Sequence, residues 1–183
     1  MGNQSTGTAE TAGEKIPRSV FMSWAGMVAG GGLFATLVNG FGNKYRYQVR
    51  RQKLSYQHLP AAFKGLKIAH ISDIHSGSFT DKDAVAKGVM KIMQESPDLI
   101  LFTGDLVNNV ASEMDDYMDV FDKLQAPLGV YSTLGNHDYG EYVQWDTPED
   151  KKANLEQLKN VHAKLGWRLL MNEHVTLEKA GQQ

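Results

Sequence analysis

The chain has 183 residues, 42% of them apolar and 22% charged, proportions typical of a globular protein with enough apolar side chains for the core of one ordinary domain. A formal charge of -2 and a pI near 6.3 leave none of the basic excess that spreads over nucleic acid, so no nucleic-acid partner is expected. With no cysteine, disulfides and thiolate metal sites are excluded, and any metal must be held by oxygen and imidazole.

Met1 to Lys15 is rich in Gly, Ser, Thr, Ala and Glu without apolar periodicity, and such a stretch cannot bury enough surface to offset the entropy of ordering. It reads as a disordered leader, bounded at 1–18. From Ser19 to Asn43 there is no charged residue, and about 20 helical residues cross a bilayer core of roughly 30 Å. Residues 19–43 therefore read as a membrane-spanning or signal-anchor helix. It is diluted by Gly26, Gly30, Gly31, Gly32, Gly40 and Gly42, so its insertion is marginal, and Gly26 with Gly30 forms a small-xxx-small pair that lets another helix approach. A cleaved export signal is the competing reading: Lys15 and Arg18, an apolar core, then small residues at Asn39 to Gly42. Arg18-Ser19-Val20-Phe21-Met22 also has the outline of a twin-arginine signal in which Ser19 replaces the second arginine.

Lys44, Arg46, Arg50, Arg51 and Lys53, with Tyr45 and Tyr47, make 44–58 a basic-aromatic linker suited to anionic headgroups. The charge bias alone favours a cytoplasmic catalytic side; an upstream span or an export route reverses that, so the side of the membrane stays open. From residue 59 the pattern becomes that of an α/β domain. Strands are expected at Leu66 to Ser72, Asp98 to Thr103 and Gly129 to Leu134. A helix capped at Thr80 carries Val85, Val89, Ile92 and Met93, and a second helix over Glu113 to Gln125 buries Met114, Tyr117, Met118, Phe121 and Leu124. A third opens at Thr147-Pro148 and ends at Gly166. Trp167 to Met171 and His174 to Glu178 are expected as fourth and fifth strands, with a turn at Gly181.

Three polar clusters follow the first three strands directly: Ser72-Asp73-Ile74-His75, Gly104-Asp105-Leu106-Val107 and Gly135-Asn136-His137-Asp138. Asp73 and Asp105 are 32 positions apart, and Asp105 and Asn136 are 31, close to one strand-helix repeat, which returns the chain to the same sheet edge. Asp73 and His75 can turn toward one ion, Asp105 can bridge two through its carboxylate, and Asn136 offers a neutral oxygen to the second. That donor set suits two divalent ions of the Mn, Fe or Zn class rather than calcium. Two such ions about 3.5–4 Å apart lower the pKa of a bridging water and clamp a phosphate for in-line displacement. His137 is placed to protonate the leaving alkoxide, and Asp138 to orient that imidazole.

The series SDIHSG, TGDLVNN and LGNHDYG resembles the calcineurin-like metallophosphoesterases, specifically their membrane-anchored bacterial branch, which is similar to UDP-2,3-diacylglucosamine hydrolases. The resemblance runs from about Tyr45 to Glu178. It implies Asp73, His75 and Asp105 on one metal, Asp105 and Asn136 on the other, and His137 as the acid. It also implies that 59–183 is the amino-terminal portion of a four-layer α/β/β/α sandwich with an unpaired sheet edge. The family continues with a further His and a Gly-His-x-His motif that complete both shells, and neither occurs here. His58, His70, His162 and His174 lack that context and read as core or surface residues.

The expected activity is metal-dependent phosphoester hydrolysis, weak or absent in this chain alone because those histidines are lacking. The substrate is a phosphoester; family and anchor together imply a lipid-linked or nucleotide-sugar diphosphate, with a soluble phosphodiester as the alternative. The alternative from another class is a non-catalytic membrane-anchored binding module. Retention of Asp73, His75, Asp105, Asn136 and His137 argues against it, because a scaffold has no need of an acid.

Overall fold

The computed structural model describes residues 17–42 and 44–183; the expected leader lies almost wholly outside them. The chain divides into two units, one ending at Arg46 and one running from Tyr47 to Gln183. In the first, helix α1 (Arg18–Gly42) follows Pro17, whose carbonyl accepts the Phe21 N–H at 3.1 Å. Ser23 and Thr36 donate their hydroxyls back to the carbonyls of Ser19 and Leu33, satisfying the polar groups of an otherwise apolar cylinder. Phe21, Trp24, Met27, Leu33, Phe34 and Leu37 are all exposed. Arg18–Leu37 is long and apolar enough to cross a membrane, by length and composition. A helix with no polar face is stable only against lipid or another apolar surface.

The second unit contains one four-stranded sheet in the order β1-β2-β3-β4, with every pair parallel. The strands are β1 (Ile68–Ile71), β2 (Leu99–Phe102), β3 (Val130–Ser132) and β4 (Arg168–Leu169). Between them run α2 (Lys82–Gln94), α3 (Met118–Phe121) and α4 (Pro148–Lys164). Because each strand lies beside its predecessor in a single direction, right-handed crossovers stack all the helices on one face. That face holds the core: Ile100, Phe102, Val130 and Ser132 are buried with Val85, Val89, Leu124, Leu158 and Val161. The Phe102 ring lies 5.3 Å from Trp167 and 6.1 Å from His162. On the opposite face Ile68 is 51% exposed and His70 reaches only Thr103 Oγ1, at 2.9 Å. Among the described residues β1 and β4 are the edge strands.

The helices start and stop where local chemistry directs. Thr147 Oγ1 accepts the Asp150 N–H at 3.1 Å with Pro148 in the first turn. At the other end Gly166, at φ 74°, lets its own N–H reach Ala163 and the Trp167 N–H reach His162, a Schellman ending. For α2 the cap is Asp81, whose Oδ1 accepts the Ala84 N–H at 2.9 Å, one residue later than the expected Thr80.

Two further expectations change. The second helix is not a single α-helix over Glu113 to Gln125: a 3-10 stretch, Ala111–Tyr117, precedes the short α3. The cause is Glu113, whose carboxylate turns back to the N–H groups of Asn108, Asn109 and Val110 and winds that turn tightly. Among the described residues there is no fifth strand: residues 174–178 pair with none of them, Lys179 and Gln182 bridge around Gly181, and a strand requires a neighbour for its N–H and C=O groups. Residues 47–51 pack on α2. Gly88 leaves space that the Tyr47 ring fills, Lys91 Nζ donates to the Tyr47 carbonyl at 2.9 Å, and Arg51 pairs with Glu95.

Candidate metal centre

The polar clusters meet where β1, β2 and β3 end. Beyond β1 the chain continues alongside the segment that follows β2: the N–H groups of Asp73, His75 and Ser76 donate to the carbonyls of Gly104, Asp105 and Leu106, each at 3.0 Å. To run this way Asp73, His75 and Asp105 adopt φ of 53°, 48° and 60°. A side-chain-bearing residue pays of order 1–2 kcal/mol for that region, tolerated where surrounding contacts over-determine it.

The loop after β3 is locked to the loop after β2. A Cβ on Gly104 would strike the Gly135 backbone, and one on Gly135 would strike Asp105, so backbone approaches backbone more closely than any larger residue permits. Asp138 completes the lock. Fully buried, its carboxylate accepts from the N–H groups of Asp105 and Gly135 at 2.9 Å, Leu106 at 2.8 Å and Val107 at 3.3 Å. Burial pushes this carboxyl above its ordinary value, while the hydrogen bonds from Gly135, Val107, Leu106 and Asp105 pull it back.

Within this frame the metal-binding atoms of His75, Asp105 and His137 lie within 4.8 Å of one another. His75 Nε2 is 3.8 Å from Asp105 Oδ2, and the two imidazoles meet edge to face at 4.7 Å. Asp105 Oδ1 accepts the His137 N–H at 2.9 Å. His137 Nδ1 is 2.8 Å from the Asn108 carbonyl; a carbonyl only accepts, so the proton sits on Nδ1 and Nε2 is the free donor atom. Asn108 Oδ1 faces His75 Nδ1 at 3.1 Å and imposes the same tautomer there. One carboxylate and two imidazoles, each with its second nitrogen held, fit a borderline divalent cation.

The expected residues are thus not equally gathered. His75, Asp105 and His137 converge, and His137, expected to act beyond the metals, stands in the cluster itself. Asp73 is exposed and outside that cluster. Asn136 is exposed, and its Nδ2 donates to the Tyr142 hydroxyl at 2.8 Å, which leaves the carbonyl oxygen as the atom it can present to an ion. Asp138, expected to orient His137, is instead committed to four backbone N–H groups, and the Asn108 carbonyl holds the imidazole. Sequence reasoning missed Asn108, Glu113 and Tyr142. Asn108 stands three residues after Asp105 in the TGDLVNN series, where its amide offered a signal; Glu113 and Tyr142 reach the site only through the curl of their loops.

The profile of the calcineurin-like phosphoesterase family matches residues 66–182, well over half of the chain. The chain is 41% identical over 87 residues to a UDP-2,3-diacylglucosamine pyrophosphatase, LpxG, of Chlamydia trachomatis, a stretch covering 47% of this chain and 26% of that protein. It is 29% identical over 145 residues to an uncharacterized metallophosphoesterase of Aquifex aeolicus, covering 78% of this chain and 51% of the other. It is 27% identical over 115 residues to a transmembrane protein with a metallophosphoesterase domain from Danio rerio, covering 62% and 26%. The chain spans about half or less of the length of these curated relatives. A match running through all four strands and enclosing the cluster at their carboxyl ends leaves one assignment: the chain belongs to the calcineurin-like phosphoesterase family.

Proposed function

We propose that this protein hydrolyses phosphoesters at a dinuclear metal centre, with Asp73, His75 and Asp105 serving one ion, Asp105 and Asn136 the other, and His137 as the proton donor. The observation that carries the reading is the convergence of His75, Asp105 and His137 at the strand ends of a phosphoesterase-family domain. Divalent ions of the Mn, Fe or Zn class held there supply Lewis acidity to a phosphate and lower the pKa of water. The chain's own groups do the rest. Asp105, buried and fixed from both sides, orients its carboxylate. The Asn108 carbonyl keeps a proton on His137 Nδ1, and Nε2, when not bound to an ion, is the ring atom that carries a proton to the leaving oxygen.

A lipid-linked or nucleotide-sugar diphosphate is the substrate class we favour. The pyrophosphatase name of the Chlamydia relative and an apolar helix suited to anchoring the domain at a membrane both support it. The test is hydrolysis of bis-p-nitrophenyl phosphate by the full-length natural protein with Mn²⁺, with and without chelator. Chelation is expected to abolish turnover, and Asp105→Asn to lower it by three orders of magnitude or more. Tight Mn²⁺ binding without hydrolysis of any phosphoester would instead favour a binding module.

A further inference from the structure

We infer that Tyr142 is a positioning residue that sets both the amide of Asn136 and the imidazole of His137. The inference rests on the reading of this site as a metal centre. Asn136 and His137 are adjacent in sequence, and one side chain meets both. The Tyr142 ring stacks on the His137 ring, with centroids 4.4 Å apart and planes inclined by 27°. Its hydroxyl accepts the Asn136 Nδ2–H at 2.8 Å.

The chemistry gives each contact a separate job. An asparagine serves a cation only through its oxygen; turned by half a revolution it points an N–H dipole at the ion. The amide is symmetric in shape, so sterics do not choose between the two orientations, and a hydrogen-bond partner must. The Tyr142 hydroxyl can donate as well as accept; here it accepts from Nδ2 and so leaves Oδ1 for an ion. For His137, the Asn108 carbonyl at 2.8 Å fixes one ring nitrogen, but a single hydrogen bond leaves the ring free to tilt about it. The face of Tyr142 removes that tilt from one side, and the His75 edge, at 4.7 Å, faces the same ring.

Tyr142 is 62% exposed and lies in the loop between β3 and α4, so its replacement removes little buried surface. That exposure separates positioning from stability. A residue merely packing the loop would act on both contacts together, whereas the hydroxyl and the ring can be removed one at a time.

The experiment uses the full-length natural protein carrying Tyr142→Phe or Tyr142→Leu, with Mn²⁺ binding followed by calorimetry and turnover by bis-p-nitrophenyl phosphate. Tyr142→Phe keeps the stack and loses the amide lock: the weaker Mn²⁺ site is expected to lose about tenfold in affinity, the tighter site to be unchanged, and kcat to recover at excess Mn²⁺. Tyr142→Leu loses both contacts, and its kcat is expected to fall a further ten- to hundredfold with little change in KM and no rescue by metal. If the parent binds Mn²⁺ and turns over while both Tyr142 variants match it, the positioning role is overturned and the metalloenzyme reading stands. If the parent neither binds Mn²⁺ nor hydrolyses the ester, the underlying reading fails and takes this inference with it.

Discussion

The two sides of the proposed metal centre are held in opposite ways. Asp105 is buried, flanked by backbone that donates to the fully buried Asp138, and packed against Gly135 so closely that no side chain could intervene. Asp73 and Asn136 stand in solvent; beyond the backbone bond from Asp73 to Gly104, the side-chain restraint is one hydrogen bond from Asn136 to Tyr142. A centre built this way has a rigid wall that fixes one set of donors and an open rim that adapts to what arrives. Damage to the wall should therefore register as lost stability, and damage to the rim as lost affinity.

The largest effect that would sharpen this contrast is at Asp138. Truncation by Asp138→Ala strands four buried N–H groups, each costing about 1–3 kcal/mol when unmet, and after partial relaxation the loss should be about 4 kcal/mol in chemical denaturation. A loss below about 1 kcal/mol would mean that the wall is not held by this carboxylate. Next comes the core between α4 and the sheet, where His162 lies beside Phe102 and Trp167. His162 is fully buried with neither ring nitrogen hydrogen-bonded, and burial lowers its pKa from 6.5 to about 4. The unfolded chain binds a proton below pH 6.5 that the folded chain refuses until about pH 4. Stability is therefore fully present above pH 6.5 and falls as the pH drops through that window, by about 3 kcal/mol at most. Denaturation midpoints between pH 7 and pH 4 check this, and His162→Leu should flatten that part of the profile. The smallest effect on the fold belongs to the rim: Asp73→Asn should weaken Mn²⁺ binding ten- to hundredfold in calorimetry while moving Tm by no more than about 2 °C. A Tm loss comparable to that of Asp138→Ala would erase the distinction between wall and rim.

The same division governs how much could be read from the chain. The wall was mostly legible. Apolar runs ending in Gly104-Asp105 and Gly135-Asn136 announced strands that deliver polar residues to one edge, and α4 was marked at both ends by Thr147-Pro148 and Gly166. What escaped lies where the backbone departs from regular structure. Nothing local requires Asp73, His75 and Asp105 to take positive φ, although aspartate and histidine enter that region more readily than most side chains. Without those three dihedral angles, the approach of His137 to His75 and Asp105 cannot be derived. Glu113 was read as part of an amphipathic helix because its neighbours Met114 and Tyr117 have helical spacing, but three backbone N–H groups nearby competed for its carboxylate and won. Asp138 was expected to serve His137 because the two are adjacent; the buried donors around it outbid one imidazole. Residues 174–178 carry a strand-like pattern that local preference alone cannot convert into a strand without a neighbour.

The lock between Gly104 and Gly135 also bears on how the site fluctuates. Because the two loops touch through backbone, and because a single carboxylate gathers amides from both, neither loop can open while the other stays shut. Local unfolding at the strand ends is then one cooperative event rather than two independent ones. The donor groups on the two loops keep their spacing through thermal motion up to the moment they lose it together.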